Sequence, residues 1–165
     1  MRSADLLAIL QECYVEKLAL RQRHVAVARR VTDYDFNNTY QYAIAREDVH
    51  LAWLAAAITE LGGTPEDRPE PELPPMQGKK ADFLPLVRED ARQAEAFVAR
   101  WRPRLPDIGN ARHRGMIQVI LGETLEHKRF FDQIVAGRED LLGRRANGPG
   151  SPGTGDGVLP VRWMD

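Results

Sequence analysis

Cysteine is nearly absent from this chain: Cys13 is the only one among 165 residues. No intrachain disulfide can form, and no group of thiolates is available for a zinc or iron–sulfur site, which is compatible with a reducing compartment. Long apolar runs are missing as well. The longest uncharged apolar stretch, Leu51 to Thr59, is far shorter than the roughly 20 residues that cross a bilayer. The opening MRSADLLAIL places Asp5, and soon Glu12, where a secretory leader needs an uninterrupted apolar stretch. It reads as the start of a helix, and the expected location is the cytoplasm. An excess of charge of one sign is lacking too. Lys and Arg number 23 against 24 Asp and Glu, a formal net charge of -1, so no global field draws the chain to nucleic acid or to an anionic membrane. Neither is expected as a partner. No glycine-rich phosphate loop and no serine-nucleophile motif occurs, which leaves nucleotide and hydrolase chemistry without support.

What is present is enough length for one core that needs no metal or disulfide staple, and four long runs of helical period. From Ala4 to Val31 the residues Leu6, Ile9, Leu10, Cys13, Leu20, Val27 and Val31 recur at helical spacing, with Ser3 placed to cap the start. A short polar stretch, Thr32 to Asp35, leads to a second run of Phe36, Tyr40, Ile44, Leu51, Leu54, Ile58 and Leu61, closed by Gly62-Gly63. The brief connection makes these two helices antiparallel. A third run carries Phe83, Val87, Ala91, Ala94, Val98 and Trp101, with Asp82 as its cap and Pro103 and Pro106 as its end. The fourth, from about Asn110 to Ala136, carries Met116, Ile117, Ile120, Phe130, Phe131 and Ile134 and stops at Gly137.

Between the second and third helices lies TPEDRPEPELPPMQGKKA, residues 64–81, too rich in proline for helix and far longer than the two to eight residues that join neighbours in a simple up-down bundle. An extended proline-rich strut rises about 3.1 Å per residue and can run the full height of the second helix. The fold class expected is therefore all-α, a four-helix bundle with a long crossover. Residues 1–145 form the bundle domain in this reading, with an extra helical turn at Glu139 to Leu142. Residues 146–165 form a flexible C-terminal tail, a Gly/Pro-rich tether ending in the apolar VLPVRWMD. Val158, Leu159, Val161 and Trp163 suit docking onto the bundle or onto another protein, and equally an inert end.

Ionisable residues interrupt each apolar stripe near its middle. Glu16 is in register with Ile9, Cys13, Leu20 and Val27, and Glu47 and His50 form E-x-x-H on the face of Tyr40, Ile44, Leu54 and Ile58. Asp90 lies in line with Phe83, Val87, Ala94 and Trp101, and Glu123 and His127 are one turn apart on the face of Met116 and Ile120. Counted from the turns, all six stand at similar heights, whereas Glu12, Glu89 and Glu95 fit less well. Acids aimed inward without partners are costly, so something cationic must stand among them, and a divalent metal pair would supply it. Taken alone, Glu123 and His127 can also be an ordinary i,i+4 helix pair. His24 and His113 lie on inward faces away from mid-bundle, as core-edge histidines with hydrogen-bond partners. Arg100, Arg102, Arg104, Arg112 and Arg114 surround the last turn, as an anion-binding end or, in the favoured reading, a solvated helix end in which Arg100, Arg102 and Arg104 complement the dipole of the third helix.

The segment Glu47-Asp-Val-His50-Leu-Ala-Trp-Leu followed by Glu60-Leu-Gly-Gly-Thr-Pro65 resembles the second helix of bacterioferritin and rubrerythrin-type proteins of the ferritin-like superfamily. The similarity in architecture extends over residues 3 to about 137. The resemblance implies a core metal site for iron or manganese, singly or as a pair, with oxidase or ferroxidase redox activity. It implies Glu16, Glu47, His50 and His127 as ligands, and Asp90 and Glu123 as substitutes for missing carboxylates. The second half departs from the pattern: four residues after Asp90, where that family carries a ligand Glu, stands Ala94, and three before His127, where it carries another, stands Thr124. The alternative is a metal-free bundle for interaction or assembly, its buried acids paired with histidines and arginines. Expected partners are further copies of the chain and, through the tail, the bundle itself or a second protein.

Overall fold

The computed structural model describes residues 2–75 and 83–138. They form four α-helices: α1 (Ser3–Ala28), α2 (Tyr34–Glu60), α3 (Leu84–Trp101) and α4 (Ala111–Val135). A 3-10 segment, Arg102–Asp107, joins α3 to α4. Among the described residues there is no strand. Arg2, not Ser3, is the capping position of α1, and its backbone N–H donates to the Asp5 carboxylate. Asp33 caps α2 by accepting from the Phe36 N–H, and Asn110 caps α4 by accepting from the His113 N–H. Pro85 sits in the first turn of α3, where its missing N–H costs no helical hydrogen bond. Gly62 and Gly137 end α2 and α4 with φ of 82° and 84°, a conformation that favours glycine. Asp82, the helical turn expected after Arg138, the 145/146 boundary and the tail lie outside the described residues.

The α1–α2 turn is tight. Asn37 Nδ2 donates to the carbonyls of Ala28 and Val31, closing the end of α1 against the start of α2. After α2 the chain returns along α1 from its beginning to its end. Gly63 lies against Leu7 and Gln11, Gln22 Nε2 donates to the Arg68 carbonyl, Arg29 pairs with Glu70, and Arg30 donates to the Leu73 carbonyl. This is the extended strut that the prolines require. It delivers the chain to the end at which α2 began, where Phe83 packs on Phe36. Helices α1 and α4 thus run one way and α2 and α3 the other, so the fold is the ferritin-like bundle.

The core is not continuous. One apolar cluster, with Leu10, Cys13, Leu54, Ile58, Trp101 and Ile117, fills the lower half. A second, with Val27, Tyr40, Ala43, Val87, Phe131 and Ile134, fills the upper half. Between them lies a layer of buried polar side chains: Lys17, His24, Glu47, His50, Asp90, Thr124 and His127.

Candidate functional site

Each helix supplies this layer from its inward stripe. On α1 the stripe runs 6, 10, 13, 17, 20, 24, 27, so Lys17 and His24 are core positions by geometry, and both are buried. Lys17 is fully buried. Its Nζ donates to Thr124 Oγ1 at 2.9 Å, forms an ion pair with Glu47 Oε2 at 3.5 Å, and lies 5.4 Å from the centre of the Phe97 ring. The opposite Glu47 oxygen, Oε1, is hydrogen-bonded to His24 Nδ1. His24 Nε2 is 3.8 Å from Asp90 Oδ1. Asp90 in turn accepts from Arg23 Nε at 2.6 Å and from the Tyr40 hydroxyl.

A second branch lies nearer the surface. Glu123 receives Arg46 through both oxygens, at 3.1 and 2.7 Å, and is hydrogen-bonded to His50 Nε2. The two-pronged contact fits the planar guanidinium. His50 and His127 rings are stacked at 6.3 Å. His127 is buried and, among the described residues, neither of its ring nitrogens has a hydrogen-bond partner; His50 Nδ1 is likewise unpartnered.

The electrostatics follow from this arrangement. Burial favours the neutral form of Glu47, but the charges of His24 and Lys17 overcome it and hold the carboxyl at about 2. Burial lowers the Lys17 pKa, opposed by Glu47. Burial also opposes the His24 imidazolium, yet Glu47 and Asp90 outweigh it and raise the pKa. His50 is lowered to about 4 and His127 to about 3, first by burial and then by the Lys17 ammonium.

Of the six expected ligands, five belong to this layer. Glu47, His50, Asp90, Glu123 and His127 are linked within it, though Glu123 pairs with Arg46 and His50 rather than with His127. Glu16 does not join them. It lies one position off the inward stripe, accepts from Trp101 Nε1 at 2.9 Å and pairs with Arg100 at 2.9 Å, part of a clasp between α1 and α3. Arg100 and Arg104 both pair with Glu12 in the same clasp, so they hold α1 rather than only ending α3. His24, expected away from mid-bundle, stands at its centre with the partner expected of it. His113 is buried, but its ring nitrogens have no partner among the described residues. Lys17, Arg23, Tyr40, Arg46 and Thr124 are further members of the network; of these only Lys17 had a signal in the sequence, the gap at 17 in the α1 stripe.

The donor set does not fit a carboxylate-bridged metal pair. At the two places where the resemblance calls for a ligand Glu stand Ala94 and Thr124. The ammonium of Lys17 occupies the space between Glu47 and Thr124, and Asp90 and Glu123 are each engaged by an arginine. Among the described residues no three His, Cys, Asp or Glu side chains converge as metal ligands.

Comparison with solved structures places the fold. The chain is similar to the bacterioferritin of Desulfovibrio desulfuricans, a crystal structure described by its diiron site in different catalytic states, with 19% identity, a TM-score of 0.69, and coverage of 92% of this chain and 95% of that one. No protein-family model matches the chain, and no curated protein does.

Proposed function

We propose that this ferritin-like bundle serves interaction or assembly, its central polar layer being a self-neutralising ionic framework and not an iron-oxidising centre. The observation that carries the reading is that each buried or half-buried acid of the layer already has a basic partner: Lys17 on Glu47, Arg23 on Asp90, Arg46 on Glu123. Paired charges inside a bundle fix the register of the helices more than they add stability. The test is metal content by mass spectrometry on protein purified without chelator and again after anaerobic iron(II) loading, with oxygen uptake followed on exposure to air. No stoichiometric iron and no uptake are expected. About two retained iron ions per chain with oxygen consumption, the signature of a carboxylate-bridged pair, would overturn the reading. Assembly is tested by light scattering on the full chain and on a deletion of residues 146–165; assembly through the tail requires the two to differ in the number of chains per particle.

A second reading rests on a different observation, the unpartnered nitrogens of His127 and His50. With Lys17 displaced and the side chains re-aimed, they and Glu47 would supply three donors for one iron or manganese ion. In the loading experiment this reading predicts about one ion per chain and a melting temperature that falls on chelation.

A further inference from the structure

We infer that Lys17 keeps a metal ion out of the middle of this bundle: its ammonium is a tethered cation already paired with Glu47, and Lys17→Glu opens a transition-metal site with Glu47, His50 and His127. The inference rests on the interaction-or-assembly reading, and goes past it by naming one residue that holds the cation's place.

Three observations support the assignment. The first is position. Residue 17 lies on the inward stripe of α1, facing Glu47 on α2 and Thr124 on α4, whereas Glu16 beside it points to α3. The second is the coordination of the ammonium itself. Its surroundings are a hydroxyl, a carboxylate and an aromatic face, a set of neutral and anionic groups that stands in for water around a cation. The third is what remains unused around it. Among the described residues His127 has both ring nitrogens without hydrogen-bond partners, and His50 has its Nδ1 so, in a layer where every acid is paired.

A carboxylate at position 17 changes the sign of the charge beside Glu47 while leaving both histidines in place. Two carboxylates, at positions 17 and 47, then stand in one buried layer with the imidazoles of His50 and His127. Without a bound cation the two acids repel; with one they are satisfied, so binding and stability become coupled.

The experiment uses cobalt(II) as a visible probe, with zinc(II) as competitor, on the full chain and on Lys17→Glu, Lys17→Met and Lys17→Glu/His127→Ala. Each is checked for helix content by circular dichroism, and Lys17→Glu is also refolded in the presence of zinc(II). The wild type is expected to retain no cobalt after desalting. Lys17→Glu is expected to retain about one ion per chain, with ligand-field bands of a four-coordinate site, and to melt higher with zinc(II) than with chelator. Lys17→Glu/His127→Ala should bind at least about tenfold more weakly. Lys17→Met keeps a neutral side chain of similar length and should bind weakly through the three remaining donors. If the Lys17→Glu and Lys17→Met variants are helical and neither retains metal while the wild type is also metal-free, the inference fails and the proposed function stands. If the wild type binds cobalt as tightly as Lys17→Glu, both fail. If Lys17→Glu is unfolded and zinc(II) does not restore it, cobalt retention by folded Lys17→Met decides, its absence overturning the inference.

Discussion

Lys17 Nζ and Thr124 Oγ1 are hydrogen-bonded at 2.9 Å across the centre of the bundle, 107 residues apart in the chain. Thr124 passes the contact on, donating to the carbonyl of Ile120 at 2.7 Å. A first and a last helix are thereby tied at mid-height, on a line that also carries Glu47 of α2.

Removing the ammonium should therefore be costly. Lys17→Met leaves the Glu47 carboxylate buried with only His24 to balance it, and loss of one partner of a buried ion pair costs about 3–5 kcal/mol. Adding Glu47→Gln should recover part of that loss, because the stranded charge is removed with its partner. Urea unfolding of the two variants checks both statements. A Lys17→Met midpoint equal to that of the wild type would mean the pair contributes nothing.

Acid should weaken the fold well before the carboxylates titrate. His50 and His127, ordinarily near 6.5, are held at about 4 and about 3 by burial and by the Lys17 ammonium. Between pH 6.5 and those values the unfolded chain binds more protons than the folded one, so their contribution is complete above about 6.5 and is lost as pH falls toward 4 and then 3. Glu47, at about 2 against an ordinary 4.5, adds a further loss from about 4.5 downward. His24 acts in the opposite sense: its pKa is raised, so its contribution is present below 6.5 and is lost as pH rises through the folded value. The expected profile from denaturant midpoints falls by a few kcal/mol between pH 6.5 and 4, each tenfold difference in proton affinity between the folded and unfolded chain being worth about 1.4 kcal/mol. A flat profile over that range would contradict neutral buried histidines.

His127 offers the opposite expectation to Lys17. Its ring nitrogens have no partner among the described residues, so His127→Leu removes an unsatisfied polar group and should change stability by no more than about 1 kcal/mol, with a gain as the favoured sign. Thermal unfolding in chelator measures it. A loss as large as that of Lys17→Met would show that the imidazole is engaged after all.

The strut has one tight point. A Cβ at Gly63 would meet Leu7 Cδ1 at 2.5 Å, Ile58 Cγ2 at 3.0 Å and Gln11 Nε2 at 3.2 Å. Leu7 and Gln11 can rotate away; Ile58 is buried and cannot move freely. Gly63→Ala should cost about 1–2 kcal/mol by overpacking, read as a lower urea midpoint with an unchanged slope.

The helices and the crossover were legible because they follow from patterns that tertiary contacts do not override: helical period, glycine stops, and prolines that cannot be helix. The candidate site was legible only in part. Acids and histidines at stripe positions pick out Glu47, His50, Asp90, Glu123 and His127, and all five lie in the polar layer. On α1 the same criterion picks out Glu16, although the stripe that holds Leu6, Leu10, Cys13, Leu20 and Val27 places residues 17 and 24 inward and residue 16 to one side. Lys17 escapes it for a physical reason: a buried ammonium is rarer than a solvated one, and one residue of the sequence does not state which it is. The carboxylate, hydroxyl and ring that surround it come from α2, α4 and α3, and only the assembled fold brings them together.

The strut also divides the molecule into two hairpins of unequal character. The first, α1 with α2, carries Lys17, Arg23 and Arg46 against Glu47 in the central layer; the second, α3 with α4, carries Asp90, Glu123 and the hydroxyl of Thr124. Two copies of the first hairpin would bring like charges together, and two copies of the second would do the same with the opposite sign. Each half is thus a poor mate for itself and a matched one for the other. A chain nicked within the strut should hold together as a complemented pair.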